Sequence, residues 1–432
     1  MNKKISIFWF RRDLRLDDNC GLFHALNNDH PVLPIFIYDQ NIISKLKEND
    51  HRLFYINQSI EKMNVVLRKN NKSIHCLEGK PFDVFSKLIK KYKINKVYTN
   101  RDYTPYSKKR DTSISKFLID NNIEFIDFKD HVLFEKNEIT KDDGSPYRVY
   151  TPYSKKWIKK MNELGIQEYN SEKLIDNFID VNTITFSSKT NLIRSNINFL
   201  KTNISEKIIE NYESTRNFPS LEATSKAGVK LRFGTISTRK LIQKASQSNN
   251  NTYLKELIWR EFFQQILYHF PDTITKSFKP KYDRIEWINN EEDFKKWCNG
   301  ETGYPFVDAG MRELNNTGFM HNRVRMLVGS FLCKHLLIDW RWGEAYFREK
   351  LYDYETASNV GNWQWVAGCG VDAAPYFRIF NPHEQIKKFD KNFTYIKKWV
   401  PEYKNSDYAK EIIDHKYARE RCLVTYKKAL NN

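Results

Sequence analysis

The sequence predicts an α/β N-terminal domain, a Rossmann-like five-stranded parallel sheet with flanking helices, followed by an all-α C-terminal domain. Three observations predict it. Over the first 130 residues, apolar runs of strand length alternate with helix-period segments, the pattern of a parallel sheet with right-handed crossovers. From about residue 137 to 200 the text turns polar and irregular. Beyond residue 205 strand signals nearly vanish and helical periodicity runs on. The expected division is 1–130, a connection over 131–204, and a helical domain over 205–432.

The strands are expected at Ile5–Phe10, Val32–Tyr38, Ser73–Leu77, Lys96–Thr99 and Glu124–Phe128. Between them, helical text covers Gly21–Asn27, His51–Lys69, Pro81–Tyr92 and Tyr106–Asp120. In the second helix Leu53, Ile56, Ile60, Met63 and Leu67 fall three or four apart and make one apolar stripe. The first strand is followed by Arg11-Arg12-Asp13-Leu14-Arg15-Leu16-Asp17-Asp18-Asn19 and not by G-x-G-x-x-G, which disfavours a nicotinamide site. The connection carries a turn at Asp142-Asp143-Gly144-Ser145-Pro146 and an Asn/Ser/Thr-rich stretch from Asn182 to Asn203. In the helical domain, Leu254, Leu257, Ile258, Phe262 and Leu267 show the period.

Composition narrows the partners. Lys and Arg number 71 against 53 Asp and Glu, a net +18, which favours polyanions. The excess is divided evenly between the two halves, so bulk charge locates no binding face. Glycine is scarce, 15 in 432 residues, about half the usual roughly 7%, which argues against a glycine-rich phosphate cradle. The six cysteines are scattered without a C-x-x-C pair, so neither a zinc knuckle nor a disulfide scaffold is expected, and no metal. Without a secretory leader or an 18-residue apolar run, the expectation is a soluble cytoplasmic protein with no membrane partner.

Seven of the ten tryptophans fall between residues 259 and 365: Trp259, Trp287, Trp297, Trp340, Trp342, Trp363 and Trp365. On helices, Glu256, Trp259 and Arg260 share a face, as do Asn322, Arg325 and Met326. Two such faces meeting make a polar-aromatic cavity. Burying those charges without partners costs several kcal/mol, which points to a ligand.

The chain resembles the cryptochrome/photolyase family, most closely the class I cyclobutane pyrimidine dimer photolyases. The resemblance runs from Trp9-Phe10-Arg11-Arg12-Asp13-Leu14-Arg15 through Thr302-Gly303-Tyr304-Pro305-Phe306-Val307-Asp308-Ala309. It is densest at Asn359-Val360-Gly361-Asn362-Trp363-Gln364-Trp365 and Asp372-Ala373-Ala374-Pro375-Tyr376-Phe377-Arg378-Ile379-Phe380-Asn381-Pro382. It implies that the first domain is an antenna domain and that the helical domain binds FAD and UV-damaged DNA. It also implies light-dependent splitting of dimers by reduced FAD, in a monomer.

By the resemblance, FAD is held by Tyr212, by Thr224-Ser225-Lys226-Ala227-Gly228, and by Arg325, Asp353, Tyr354, Glu355 and Asn359. The family usually reads T-S-R-L-S where Gly228 ends this run, so one hydroxyl is lost and a backbone donor kept. Asp353 and Arg325 match an ion pair beside the isoalloxazine ring, and Asn359 the amide facing its N5. Trp363, Trp340 and Trp287 match the electron-transfer chain, with Asn359 and Glu256 as the other catalytic groups; Trp342 reads as packing. DNA is implied at Trp259 and Trp365 as walls for flipped bases, at Glu256, Asn322 and Met326 on the dimer, and at Arg216, Arg260 and Arg323 on flanking phosphates.

Rival readings are separated by particular residues. The two active-site histidines of (6-4) photolyases are replaced by Asn322 and Met326, with His321 beside them. A cryptochrome-like photoreceptor is the alternative; such proteins typically append a long tail beyond the segment matching Trp399-Val400-Pro401-Glu402, and this sequence ends at Asn432. A plain basic DNA-binding module is the third. Folate-using members carry Asn-Glu where this chain reads Tyr106-Ser107, so a second, antenna chromophore is of unspecified identity: deazaflavin, another chromophore or none.

Overall fold

The computed structural model describes residues 4–47, 50–181 and 199–431. Most of the Asn/Ser/Thr-rich stretch, residues 182–198, lies outside them. The described residues form two compact units, each discontinuous in sequence. The first draws on Met1–Glu135, Lys160–Asn198 and Gly228–Gln247, the second on Lys136–Lys159, Phe199–Ala227 and Ser248–Asn432.

The first unit is built on a five-stranded parallel sheet: β1 (Ile5–Phe10), β2 (Val32–Asp39), β3 (His75–Gly79), β4 (Ile94–Asn100) and β5 (Glu124–Phe128), in the order β3-β2-β1-β4-β5. Every residue of β1 is buried, as a central strand covered on both faces requires. The third strand begins two residues later than its apolar run predicts. The Ile74 N–H is taken by the Asn64 side chain at 2.8 Å, and pairing starts only at Ile35 opposite His75. The longer helices between strands occupy Cys20–Leu26, His51–Leu67, Pro81–Lys91 and Pro105–Ile119. In the second, Leu53, Ile60, Met63 and Leu67 are buried.

The Arg- and Asp-rich run after β1 is spent on holding this unit together. Arg15 pairs with Asp130 at 2.7 Å, and Arg239 with Asp130 at 2.9 Å and Asp18 at 3.1 Å. All four side chains are below 10% exposed. Arg239 lies in the helix Thr238–Ser246, which joins the α/β unit although its text reads as the helical region. Gly234 permits this: it adopts φ +63°, and a Cβ there would stand 2.2 Å from the Arg12 carbonyl oxygen.

The second unit is helical. The stretch expected to be a connection contains the helix Tyr150–Leu164, with Tyr153 and Trp157 buried. One helix, Thr356–Ala367, is the hub: Thr252–His269, Asn322–Ser330 and Trp340–Lys350 all pack on it. Gly343 lets Trp340–Lys350 come close, because its face meets the Trp363 indole directly. Asp308 fixes the start of the helix Pro305–Thr317 by accepting from Thr302, Gly303 and Tyr408. Among the described residues, no helix is long and apolar enough to cross a membrane.

Candidate functional site

The hub helix carries no charged residue, and Gly368 ends it in the left-handed region at φ +89°. Asn359, Trp363 and Val366 recur three or four residues apart and so share a face. That face borders an open concave cleft, the kind of surface small molecules occupy. Asn322, Arg325 and Met326 enter from one neighbouring helix and Phe347 from another. Asp353, Tyr354 and Glu355 come from the segment leading into the hub, and Trp365 completes the rim.

The polar groups are fixed in place. Arg325 donates to Asp353 Oδ2 at 2.9 Å and to the Met320 carbonyl at 2.7 Å. Asp353 Oδ1 is buried with no partner among the described residues, an acceptor left for something else. Asn359 spends its amide N–H groups on Glu344, at 3.0 Å to Oε1 and 3.2 Å to the backbone oxygen. Its carbonyl oxygen is left as the acceptor. Aromatic and aliphatic walls with two such acceptors and one guanidinium fit a flat heteroaromatic ring carrying N–H groups.

Two family models match this chain, described as "DNA photolyase" over residues 6–171 and "FAD binding domain of DNA photolyase" over 253–407. A deoxyribodipyrimidine photo-lyase from Alkalihalophilus pseudofirmus is 34% identical, with 98% of each chain covered. The chain belongs to the DNA photolyase family. Among solved structures, a class III photolyase from Agrobacterium tumefaciens has a TM-score of 0.89 at 31% identity, covering 100% of this chain and 99% of that one. An archaeal photolyase from Sulfolobus tokodaii, described with two FAD molecules, has a TM-score of 0.80 at 32% identity, covering 98% and 99%. These relatives do not single out class I.

Of the residues expected to serve photolyase chemistry, nine meet at the cavity: Asn322, Arg325, Met326, Asp353, Tyr354, Glu355, Asn359, Trp363 and Trp365. Around it, Arg260 pairs with Glu355 at 3.7 Å. Arg216 and Glu256, expected on phosphate and base respectively, meet each other at 2.5 Å, with the Arg216 guanidinium over the Tyr212 ring. Thr224, Ser225, Lys226, Ala227 and Gly228 lie outside the cavity lining. Ser225 accepts from the Asn203 N–H, Lys226 sits at φ +51° beside Glu222, and Gly228 opens the short helix Gly228–Phe233.

Trp363 lies in the cavity wall, Trp340 is buried, and Trp287 is half-buried against Tyr426. Trp342 packs on Phe294. His321 is buried; burial, then the charges of Arg325 and Arg323, push its imidazole down to about 4, so it is neutral at pH 7. Arg323 bonds to Asn217 and lies over Phe389. Burial, then the charges of Arg216 and Arg378, push its guanidinium below its ordinary value.

Sequence reasoning missed two groups. Glu344, which orients Asn359, belongs to no motif, and only the packing of Trp340–Lys350 on the hub brings it there. Tyr150 stacks on Trp259 with ring centroids 3.7 Å apart and planes 5° from parallel. It sits in text that reads as a connection; an aromatic beginning a helix after a turn was the available signal.

Proposed function

We infer that this chain is a light-dependent DNA-repair lyase that uses reduced FAD to split cyclobutane pyrimidine dimers. The observation that carries this reading is the cavity wall, where Arg325–Asp353, Asn359 and Trp363 converge beside Trp365. When bound, FAD supplies the light absorption and the electron that opens the dimer's ring. The chain's own residues supply position and charge. Asn359, held by Glu344, offers a carbonyl to a ring N–H and withholds a strong acid. Arg325 contributes positive charge beside a reduced ring, and Asp353 keeps that charge oriented.

A dimer inside a duplex must be extruded to reach such a site. Trp259 and Trp365 then present apolar faces to the bases, Glu256 and Asn322 hydrogen-bond their edges, and Met326 packs on them. Arg216, Arg260 and Arg323 meet the flanking phosphates. Trp363, Trp340 and Trp287 pass electrons inward, since indoles are readily oxidised side chains. In this reading residues 1–130 form the antenna domain and 205–432 the catalytic domain. A second chromophore belongs to it, and an absorption band of the purified protein beyond that of FAD tests that part.

The decisive experiment illuminates purified, anaerobically reduced protein with blue light in the presence of an oligonucleotide containing one thymine dimer. Restored thymines, with none in the dark, are expected. Intact dimers under light overturn the repair reading in favour of a photoreceptor, and a colourless protein overturns the flavin reading altogether.

A further inference from the structure

We propose that Tyr150 is a positioning residue for dimer recognition, holding the two tryptophan walls of the base site in register. Three contacts of this one residue carry the inference. Its ring lies flat on Trp259, 3.7 Å between centroids and 5° from parallel. Its hydroxyl donates to the Lys255 carbonyl at 2.7 Å, on the helix Thr252–His269 that carries Trp259. Its backbone N–H donates to Asp372 Oδ2 at 3.0 Å. Asp372 lies in the loop that follows Trp365 and the hub helix.

Among the described rings, Tyr150 is the one parallel to Trp259; Phe262 and Phe263 meet it at 81° and 32°. One indole face is thereby covered, and the half-buried ring is stiffened. A stacking surface fixed before binding loses less rotamer freedom when a base arrives. The Asp372 contact adds a tie to the other wall. The Tyr150 N–H opens the helix Tyr150–Leu164, where it has no partner within its own helix. The carboxylate that satisfies it anchors the chain leaving Trp365. Tyr150 therefore contacts both the helix that carries Trp259 and the loop that follows Trp365, although its sequence context is that of a connection.

The proposal rests on Trp259 and Trp365 being the base-contacting walls. Its test uses the FAD-loaded protein and reads binding, not repair alone. Affinities for a dimer-containing and an undamaged oligonucleotide are measured by anisotropy for wild type, Tyr150→Phe and Tyr150→Leu. Tyr150→Leu is expected to lower the preference for the dimer about two- to tenfold, the range one aromatic pair supports. Affinity for undamaged DNA and its salt slope should hold, and Tyr150→Phe, which keeps the stack, should restore the preference. On a Trp259→Ala background, Tyr150→Leu should cost nothing more, because the coupled partner is gone.

An unchanged preference in Tyr150→Leu overturns the proposal. So does tighter dimer binding, which would mean that Tyr150 occupies the substrate's own place. If Tyr150→Leu does not accumulate as folded protein, Asp372→Ala, at an exposed position, removes the other contact, the carboxylate on the Tyr150 backbone N–H, which no side-chain change at 150 touches. It should lower the preference too, and an unchanged preference there overturns the proposal equally. A wild type with no preference for the dimer refutes instead the function on which the proposal rests.

Discussion

Gly343→Ala sets two physical effects against each other at the cavity wall. Gly343 lies inside the helix Trp340–Lys350, and exchanging an interior helical glycine for alanine ordinarily stabilises by about 1 kcal/mol. Here the added methyl would stand 2.1 Å from Trp363 Cη2, 2.4 Å from its Cζ3 and 2.7 Å from Leu332 Cδ2. Ordinary contact begins near 3.4 Å, so the indole must move by about 1.3 Å or the helices must part. Trp363 and Leu332 are both buried, so neither side chain can swing out to solvent. Overpacking of this kind costs about 1–3 kcal/mol, which cancels or outweighs the propensity gain. The net expectation is a lower Tm. Because Trp363 is part of the cavity wall, its displacement should also reduce flavin retention and the rate of flavin photoreduction. Calorimetry and the ratio of flavin to protein absorbance measure both. A Gly343→Ala protein with raised Tm and wild-type flavin content would refute the packing argument, since propensity would then have won and the indole would have had room.

Arg323→Ala should weaken binding of damaged and undamaged DNA alike and flatten the salt slope by about one unit, as loss of a single phosphate contact does; anisotropy over a salt series reads it. Trp259→Ala should instead erode the preference for the dimer while leaving that slope intact. In the α/β unit, the arginines beside Asp130 outweigh its burial and hold its carboxyl down to about 2. With the folded value below the unfolded one, its contribution of about 2 kcal/mol is complete above roughly pH 4 and lost as pH falls toward 2. Asp130→Asn should destabilise by about 3–5 kcal/mol at pH 7 by leaving Arg15 and Arg239 under-paired. It should also remove that share of the acid sensitivity, which urea unfolding between pH 3 and pH 7 resolves.

The parts legible in the sequence are those that depend on near neighbours. The five strands were readable because each apolar run is bounded by polar turns, and β3 alone was displaced, by a side chain ten residues away on the preceding helix. The hub helix and its Asn359, Trp363 and Trp365 were readable from a dense motif. The Arg325–Asp353 bond joins residues 28 apart and could come only from the family resemblance, since no periodicity links them. Glu344 and Tyr150 act through packing between helices, and the text around each is ordinary. The helix Thr238–Ser246 has an amphipathic pattern that fits either unit; its place is set by Arg239 reaching Asp18 and Asp130, a pairing that no local pattern encodes.

The same distinction explains the net +18. Arg11, Arg15 and Arg239 are each matched to carboxylates in the α/β unit and offer little to an outside anion. Arg323 is different: among the described residues it has no carboxylate partner, and its charge is opposed by those of Arg216 and Arg378. Arg378, exposed in the loop after the hub helix, likewise has no carboxylate partner there. Like charges held together in a half-buried setting work against folding. In the function proposed above an anion settles Arg323 and Arg378, because a duplex whose base has been turned into the cavity brings phosphates near them. The sign of the whole chain therefore says less about DNA than Arg323 and Arg378, which lack a carboxylate partner among the described residues beside an Arg216 already paired with Glu256.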